Sequence, residues 1–257
     1  MVVADLHLHT TRSDGSLTLS TLPVAARRGG VDAVAITDHD RTQPALDGPV
    51  TTIEGLTVVH GIELRVDAGD QRLDLLGYGV DPTDELVALC DRIQRNRRER
   101  GRRIIDRVED RLDVSLPVEP RAGLGRPHIA RGIAEVSAYT YQEAFDRLIG
   151  DDCPCYVPRE IPDFEAGRTV LADACGVVGL AHPFRYPDTE AALARCRSLD
   201  AVERWYPYDR AVDTDRLDRA IDRHDLLRTG GSDAHDEQLG RAGLDATAWD
   251  RLREAIV

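Results

Sequence analysis

Lysine is absent from this sequence. All 33 basic residues are arginine, against 46 aspartate and glutamate residues, and the formal net charge is −13. A surface this acidic repels nucleic acid at low salt, so we expect no stable binding to a duplex. An acidic surface without lysine is typical of proteins adapted to high salt, whereas GC-rich codon use would give the same preference for arginine. A phosphorylated substrate must therefore be attracted by bound metal ions or by a few local arginines.

Long apolar runs are missing as well. None approaches the roughly 18 residues needed to span a bilayer, so we expect no membrane association. The N-terminus shows no basic segment followed by the apolar core of a secretory signal, which favours a cytoplasmic location. The five cysteines are odd in number, and only Cys153 and Cys155 are close in sequence. A disulfide framework and a thiolate zinc site are therefore both unexpected.

What the sequence does contain is a repeating order of short apolar strand, polar tip and helix. The predicted strands cover 2–4, 31–36, 56–63, 72–80, 176–184, 199–207 and 226–235. The predicted helices cover 17–28, 83–115, 128–137, 140–149, 188–198, 213–224 and 247–256. This alternation predicts an α/β fold with parallel strands, and polar residues just past the strands favour a barrel over an open sheet.

Residues 83–165 interrupt this alternation and predict a helical insertion within a single domain spanning 1–257. The middle of its first helix, residues 92–103, reads RIQRNRRERGRR. A solvated arginine-rich helix face is the usual explanation for such a charge run, and a substrate-facing basic patch is the alternative.

Histidines and carboxylates concentrate at the predicted element ends. His7 and His9 are two residues apart, so both side chains project from the same face of an extended strand. Six of the eight histidines lie at such ends, namely His7, His9, His39, His128, His182 and His235. The accompanying carboxylates are Asp14, Glu63 and Asp233. These ligands suit zinc, manganese or iron, and they exceed what one tetrahedral ion can use.

Two or three divalent ions, with Glu63 as a bridging carboxylate, are therefore predicted. Adjacent divalent ions lower the pKa of a bound water to give a hydroxide. They also neutralise the attacking and leaving oxygens in phosphoryl transfer. The pattern consequently favours a metal-dependent phosphoesterase.

The chain also resembles the PHP (polymerase and histidinol phosphatase) family of metal-dependent phosphoesterases. The resemblance rests on DLHLHTTRSDG at 5–15, ITDHD at 36–40, GIE at 61–63, GRPHIAR at 125–131, AHP at 181–183 and GSDAH at 231–235. It implies a distorted (β/α)7 barrel with a trinuclear metal centre at the strand ends. Together with the chain length, GRPHIAR and WYP at 205–207 look most like one branch of the family. That branch hydrolyses nucleoside monophosphates and 3′,5′-bisphosphates or trims short RNA from the 5′ end.

The resemblance, carried over position by position, divides the ligands among three ions. One ion would be held by His7, His9, Glu63 and Asp233. A second would share Glu63 and be bound by His128. The third would be surrounded by Asp14, His39, His182 and His235.

One position departs from the pattern of the family. Relatives usually place a histidine before the leucine pair of LLGY, where this chain has Asp74. If Asp74 coordinates, this harder ligand should favour manganese or magnesium-like ions at the second position. The equal alternative is that Asp74 supports a ligand without touching an ion.

Three residues are candidates for catalysis: Asp38, Arg126 and His182. Asp38 would orient His39 or its water, although a strand-end turn explains this aspartate equally well. Arg126 lies two residues before His128 and is the candidate fork for a substrate phosphate.

The leading hypothesis is hydrolysis of phosphomonoesters of small nucleotides, such as AMP and 3′,5′-bisphosphonucleotides, or trimming of short 5′-phosphorylated RNA. A histidinol-phosphate phosphatase would use the same metal centre and is the alternative enzyme. A non-catalytic metal-binding regulatory module is the alternative of another class. The sequence predicts no particular oligomeric state.

Overall fold

Eight strands and eight α-helices make up the computed structural model, which describes residues 1–256. The strands are β1 (Ala4–Leu8), β2 (Ala33–Ile36), β3 (Val50–Ile53), β4 (Leu56–Asp67), β5 (Arg72–Tyr78), β6 (Val177–Leu180), β7 (Ala201–Trp205) and β8 (Leu227–Gly230). The helices are α1 (Leu22–Gly29), α2 (Asp84–Leu112), α3 (Arg126–Val136), α4 (Tyr141–Ala144), α5 (Phe164–Ala172), α6 (Thr189–Arg195), α7 (Thr214–His224) and α8 (Ala246–Ile256).

The chain divides into two units. The first comprises Met1–Cys90 together with the residues from Ile161 on, and the second comprises Asp91–Glu160. No helix among residues 1–256 combines the length and the apolar character that crossing a membrane requires.

The first unit is built on one curled sheet with the strand order β1-β2-β4-β5-β6-β7-β8. Beyond the end of β8, Ala234 pairs in parallel with Leu8, so the two outer strands of the sheet approach each other. Seven strands on one path, with helices between them, fit the predicted distorted (β/α) barrel. The fold class predicted from the sequence is confirmed.

The prediction that the strands are all parallel is wrong at β5. This strand runs antiparallel to both β4 and β6. Only residues 68–71 separate β4 from β5, and the Ala68 N–H donates to the Gln71 carbonyl at 2.9 Å. So short a connection permits only an antiparallel neighbour, because a parallel crossover needs a dozen or more residues.

A hairpin was also missed by the sequence analysis. Strand β3 pairs with β4 in antiparallel fashion off the main path. Glu54 and Gly55 connect the two strands, and both have positive φ angles, of 48° and 84°. Two successive left-handed residues are the geometry of the tight turns that suit the twist of a hairpin.

Apolar side chains inside and outside this sheet form the core of the first unit. One cluster packs Leu6 and Tyr78 against Trp249 and Leu252 of α8. A second cluster packs Leu22 of α1 against Val34 and Ile36 of β2. Helix α1 begins later than predicted, at Leu22 instead of residue 17, with Pro23 in its first turn, where a proline costs no hydrogen bond.

The second unit is helical and has its own core, which includes Ile104, Val108, Ile129 and Leu148. The predicted helix at 140–149 is present as α4 followed by a π-helix over Phe145–Ile149. In the arginine-rich segment, Arg97 and Arg100 are buried while the other arginines of 92–103 are exposed. The segment is therefore not a uniformly solvated face.

Candidate metal centre

His7 and His9 lie at the centre of the candidate site. Strand β1 runs through His7 to Leu8 and His9 follows it directly, so both histidines lie at the end of one strand. Both imidazoles are fully buried. Nε2 of His7 lies 3.5 Å from Oε1 of Glu63 and 3.6 Å from Oδ1 of Asp233. Nε2 of His9 lies 3.0 Å from Oδ1 of Asp233 and 3.5 Å from Oε2 of Glu63.

The environment of His7 fits a metal ligand. Its Nδ1 lies 3.0 Å from Oε1 of Glu203, which holds the proton on that nitrogen. Its Nε2 is buried and, among the residues that the structure describes, has no hydrogen-bond partner. An imidazole oriented by a carboxylate through one nitrogen presents the lone pair of the other nitrogen to an ion. The donor set therefore suits a divalent metal.

A second group of ligands lies closer to solvent and consists of His9, Asp14, His39 and His235. Nε2 of His235 lies 3.4 Å from Oδ1 of Asp14, and Nε2 of His39 lies 3.9 Å from Oδ2 of the same residue. The rings of His9 and His235 are stacked, with centroids 4.3 Å apart. His9 belongs to both groups, so the two candidate ion positions are adjacent.

The third group is Glu63, Asp74 and His182. Nε2 of His182 lies 3.1 Å from Oε1 of Glu63 and 3.7 Å from Oδ2 of Asp74. This placement differs from the division implied by the family resemblance, which put His182 beside Asp14, His39 and His235. The difference follows from strand order, since β6, which leads into His182, pairs with β5, which carries Asp74.

Three of the loops that follow the strands place a residue in the left-handed region, either a candidate ligand or, for Asp40, the neighbour of the ligand His39. The φ angles are 52° for Asp40, 27° for His182 and 49° for Asp233. Non-glycine residues rarely adopt this conformation, and it persists where the surroundings impose it. For Asp233, Ser232 supplies part of that constraint. Its N–H and Oγ both donate to the carboxylate of Asp5, at 2.8 and 2.6 Å.

Asp38 was predicted to be catalytic, and the structure gives it a different set of contacts. Its Oδ1 accepts hydrogen bonds from the Thr10 N–H at 2.8 Å and the Ser13 hydroxyl at 2.6 Å. Its Oδ2 accepts from the Thr10 hydroxyl at 2.6 Å. Both oxygens are therefore used to hold the loop after β1, and this geometry favours a positioning role over acid or base chemistry.

Four further residues lie near the ligands, and three of them, Glu203, Arg65 and Tyr206, were not predicted from the sequence to belong to the site. Glu203 on β7 orients His7 and also accepts the His182 N–H at 2.7 Å. Arg65 on β4 pairs with Asp74. Tyr206 and Arg185 both reach Oδ2 of Asp233, each at 2.9 Å. Glu203 could have been identified from the sequence. It is a carboxylate within an apolar predicted strand, and a buried carboxylate requires a partner.

Arg126 and His128, two further predicted site residues, belong to the second unit. Both lie in the first turn of α3, and Nδ1 of His128 accepts the Gly125 N–H at 3.2 Å. Arg126 donates to Oδ1 of Asp151 at 2.6 Å. Burial, together with the charges of Arg126 and Arg97, lowers the pKa of Arg100 to about 10. Their roles as metal ligand and phosphate fork remain predictions.

No family model matches the sequence. Curated relatives do match over nearly the whole chain. The 5′-3′ exoribonuclease Rnm of Escherichia coli (strain K12) is 29% identical over 261 residues, covering 93% of this chain and 89% of the relative. The phosphoribosyl 1,2-cyclic phosphate 1,2-diphosphodiesterase of Eggerthella lenta is 29% identical over 255 residues, covering 91% and 94%. The 3′,5′-nucleoside bisphosphate phosphatase of Chromobacterium violaceum is 25% identical over 271 residues, covering 95% and 90%.

A solved structure agrees with these relatives. A protein from Bifidobacterium adolescentis, assigned as a metal-dependent phosphoesterase, superposes with a TM-score of 0.82 at 26% sequence identity. The match covers 100% of this chain and 97% of that one. These similarities agree with the resemblance to metal-dependent phosphoesterases that the sequence motifs indicate.

In the candidate metal centre, the buried carboxylates and imidazoles shift one another's pKa values in opposite directions. Burial alone would lower the pKa of His7, but Glu203, Asp233 and Glu63 raise it well above its ordinary value. Burial alone would raise the pKa of Glu63, but His39 and His7 hold it well below its usual range. The charge on Glu63 is thus maintained in a buried place. A buried anion surrounded by imidazole nitrogens is suited to binding divalent cations.

Proposed function

We propose that this protein is a metal-dependent phosphoesterase acting on small nucleotides or short 5′-phosphorylated RNA. The observation that carries the proposal is the convergence of the His7 and His9 Nε2 atoms on Glu63 and Asp233, beside a second group that shares His9. Relatives named as an exoribonuclease, a bisphosphate phosphatase and a cyclic phosphate diphosphodiesterase support phosphate-ester substrates. A cytoplasmic location is part of the same proposal.

Two to three divalent ions, of manganese, zinc or iron, would be held by the three groups of ligands. Such ions supply Lewis-acid activation of water and neutralise the oxygens of the phosphoryl group. The chain's own residues have other tasks. Glu203 keeps His7 in the tautomer that a ligand needs, and Arg126 is proposed to fix a substrate phosphate.

A cavity beside the candidate centre supports a nucleotide substrate. It has a volume of about 550 Å³, within the range of small-molecule sites, and is lined by Phe184, Arg185, Tyr206, Tyr208 and Arg210 among others. The rings of Tyr206 and Tyr208 have centroids 4.7 Å apart, and Tyr206 and Arg185 also contact Asp233. Aromatic side chains stack on nucleobases, and arginines attract phosphate. The cavity is therefore suited to the nucleoside part of the substrate.

The proposal is tested by loading the protein with Mn²⁺, Zn²⁺ or Fe²⁺ and measuring release of phosphate or mononucleotide. The substrates are AMP, a 3′,5′-bisphosphonucleotide, a short 5′-phosphorylated RNA and a ribose cyclic phosphate. Histidinol phosphate is assayed beside them, because preferential cleavage of that ester would favour the alternative enzyme. If the metal-loaded protein hydrolyses none of these esters, the proposal is overturned. That result would favour the alternative of a non-catalytic metal-binding module.

Matched variants locate the activity in the centre. His9→Ala should abolish turnover, because His9 belongs to two ligand groups. His224→Ala is the control, since His224 ends α7 and belongs to none of the ligand groups. Turnover retained in His9→Ala would show that the reaction occurs elsewhere.

A further inference from the structure

One carboxylate of the third ligand group is already paired with a cation of the chain itself. Nε of Arg65 donates to Oδ1 of Asp74 at 2.7 Å, and Nη2 of Arg65 donates to Oδ2 at 2.5 Å. The guanidinium thus engages both carboxylate oxygens at once. This two-point geometry is the strongest and most directional form of the arginine–carboxylate pair.

The backbone fixes this pair in place. Arg65 on β4 and Asp74 on β5 are register partners across the antiparallel strands, so their side chains leave the same face of the sheet opposite each other. The N–H of Arg65 donates to Oδ1 of Asp40 at 3.1 Å, and the N–H of Asp74 donates to the hydroxyl of Tyr186 at 2.9 Å. Asp74 is 1% exposed, so water does not compete for its oxygens.

The pair lies within the third ligand group. Oδ2 of Asp74, which accepts from Arg65, is also the oxygen 3.7 Å from Nε2 of His182. An ion placed among Glu63, Asp74 and His182 would have to share this oxygen with a guanidinium and would be repelled by its positive charge. Arg185 also donates to Asp233, near His7 and His9, but it engages Oδ2 and leaves Oδ1 facing the two imidazoles. The three groups are therefore not equivalent toward a divalent ion.

We propose that Arg65 is the resident cation of the Glu63–Asp74–His182 group, so that the centre holds two divalent ions and one guanidinium instead of three ions. This inference refines the proposed function, on which it rests for the identity of the centre. Two ions bind the groups built on His7 and His9, and Arg65 neutralises Asp74 permanently. A guanidinium cannot be removed by a chelator, so part of the positive charge of the site persists without metal.

The test is the number of ions per chain, measured by native mass spectrometry and elemental analysis after saturation with Mn²⁺ and removal of excess metal. We expect two ions in the unaltered protein. Arg65→Met keeps the length of the side chain and removes its charge, so Asp74 is released and a third ion binds. The double variant Arg65→Met with Asp74→Asn should return to two ions, because the released ligand is then missing.

Two further variants serve as controls. Arg65→Lys keeps a positive charge beside Asp74 and should stay at two ions. Arg204→Met removes another two-point pair of the first unit, in which Arg204 donates to both oxygens of Asp218 at 2.7 and 3.0 Å. This variant should also stay at two.

Any count other than two in the unaltered protein overturns the proposal, and that result does not depend on whether Arg65→Met folds. A folded Arg65→Met protein that still binds two ions overturns it as well. Ion counts are independent of turnover. A protein inactive on every phosphate ester could still bind two ions when unaltered, three as Arg65→Met and two as the double variant. The ion counts therefore test this inference separately from the proposed function.

Discussion

The carboxylate of Glu203 lies 3.0 Å from Nδ1 of His7, and both side chains are completely buried. The two residues lie 196 positions apart in the sequence, on β7 and β1. Glu203 therefore decides which nitrogen of His7 carries a proton and which one faces Glu63 and Asp233.

Glu203→Gln should weaken metal binding. The amide oxygen can still accept the N–H of His182, which leaves the amide N–H₂ group facing His7. His7 would then carry its proton on Nε2 and lose the lone pair directed at the ion. Losing such a supporting carboxylate typically costs about 10–100-fold in metal affinity.

Competition with a chelating dye would measure the metal affinity of the Glu203→Gln variant. Arg204→Met, on the same strand, is the control, and equal affinity in the Gln variant would contradict the role of Glu203.

Gly231→Ala should disturb the centre through the backbone. A Cβ at this position would lie 2.5 Å from Cβ of His7 and would overlap the His7 nitrogen. Since overpacking typically costs about 1–3 kcal/mol, we expect a lower free energy of unfolding together with weaker metal binding. Gly48→Ala is the matched control, because no atom lies within 4 Å of a Cβ there. Urea unfolding and a metal titration would check both effects. Unchanged stability in Gly231→Ala would show that β1 and the segment after β8 can separate.

Tyr208→Leu should raise KM for AMP more than it lowers kcat. Stacking of a base on an aromatic ring is worth about 1–3 kcal/mol, which corresponds to roughly 5–150-fold in affinity. Tyr208→Phe keeps the ring, and its loss is limited to the hydrogen bond that the hydroxyl accepts from the Phe184 N–H at 3.2 Å. Steady-state kinetics with AMP and with ribose 5-phosphate would separate the effects. An equal rise in KM for both substrates would mean that Tyr208 does not contact the base.

His60 should make the metal-free protein less stable in acid. Burial lowers the pKa of His60 from 6.5 to about 4, and its Nε2 accepts the Gln43 N–H at 3.0 Å. The folded state therefore binds fewer protons than the unfolded state. The stability that His60 contributes is present above pH 6.5 and is lost as the pH falls toward 4, by about 3 kcal/mol.

The variant His60→Gln keeps an acceptor for Gln43 and removes the ionisable ring. Urea unfolding at several pH values should show that its stability falls less between pH 6.5 and 4 than that of the unaltered protein. His224→Gln should follow the unaltered protein. A parallel fall in all three proteins would show that His60 does not titrate in this range.

Much of the site was predictable because its chemistry is local in sequence. The spacing of His7 and His9 indicated two imidazoles on one strand face, and the structure brings them together with Glu63 and Asp233. Polar residues that follow apolar strands indicated that the candidate ligands gather at one end of a barrel. These patterns depend on residues within a few positions of one another, and strand periodicity is enough to interpret them.

Contacts that depend on strand register could not be predicted in the same way. Asp74 was identified as an unusual ligand, but its partner Arg65 follows from the antiparallel pairing of β4 with β5, which the sequence analysis took to be parallel. The grouping of His182 with Asp74 depends on the same pairing. Helix α5 was missed, although Asp163 caps it by accepting the Ala166 N–H at 2.9 Å.

The hydrogen bond between His9 and Asp233 joins residues separated by 224 positions. A growing chain therefore cannot complete the first ligand group until synthesis has passed β8. Closing so long a loop is slow and costs entropy that only late contacts repay. Metal capture should consequently be among the last events of maturation, and a chain truncated before Asp233 should leave the ribosome without the affinity of the finished centre.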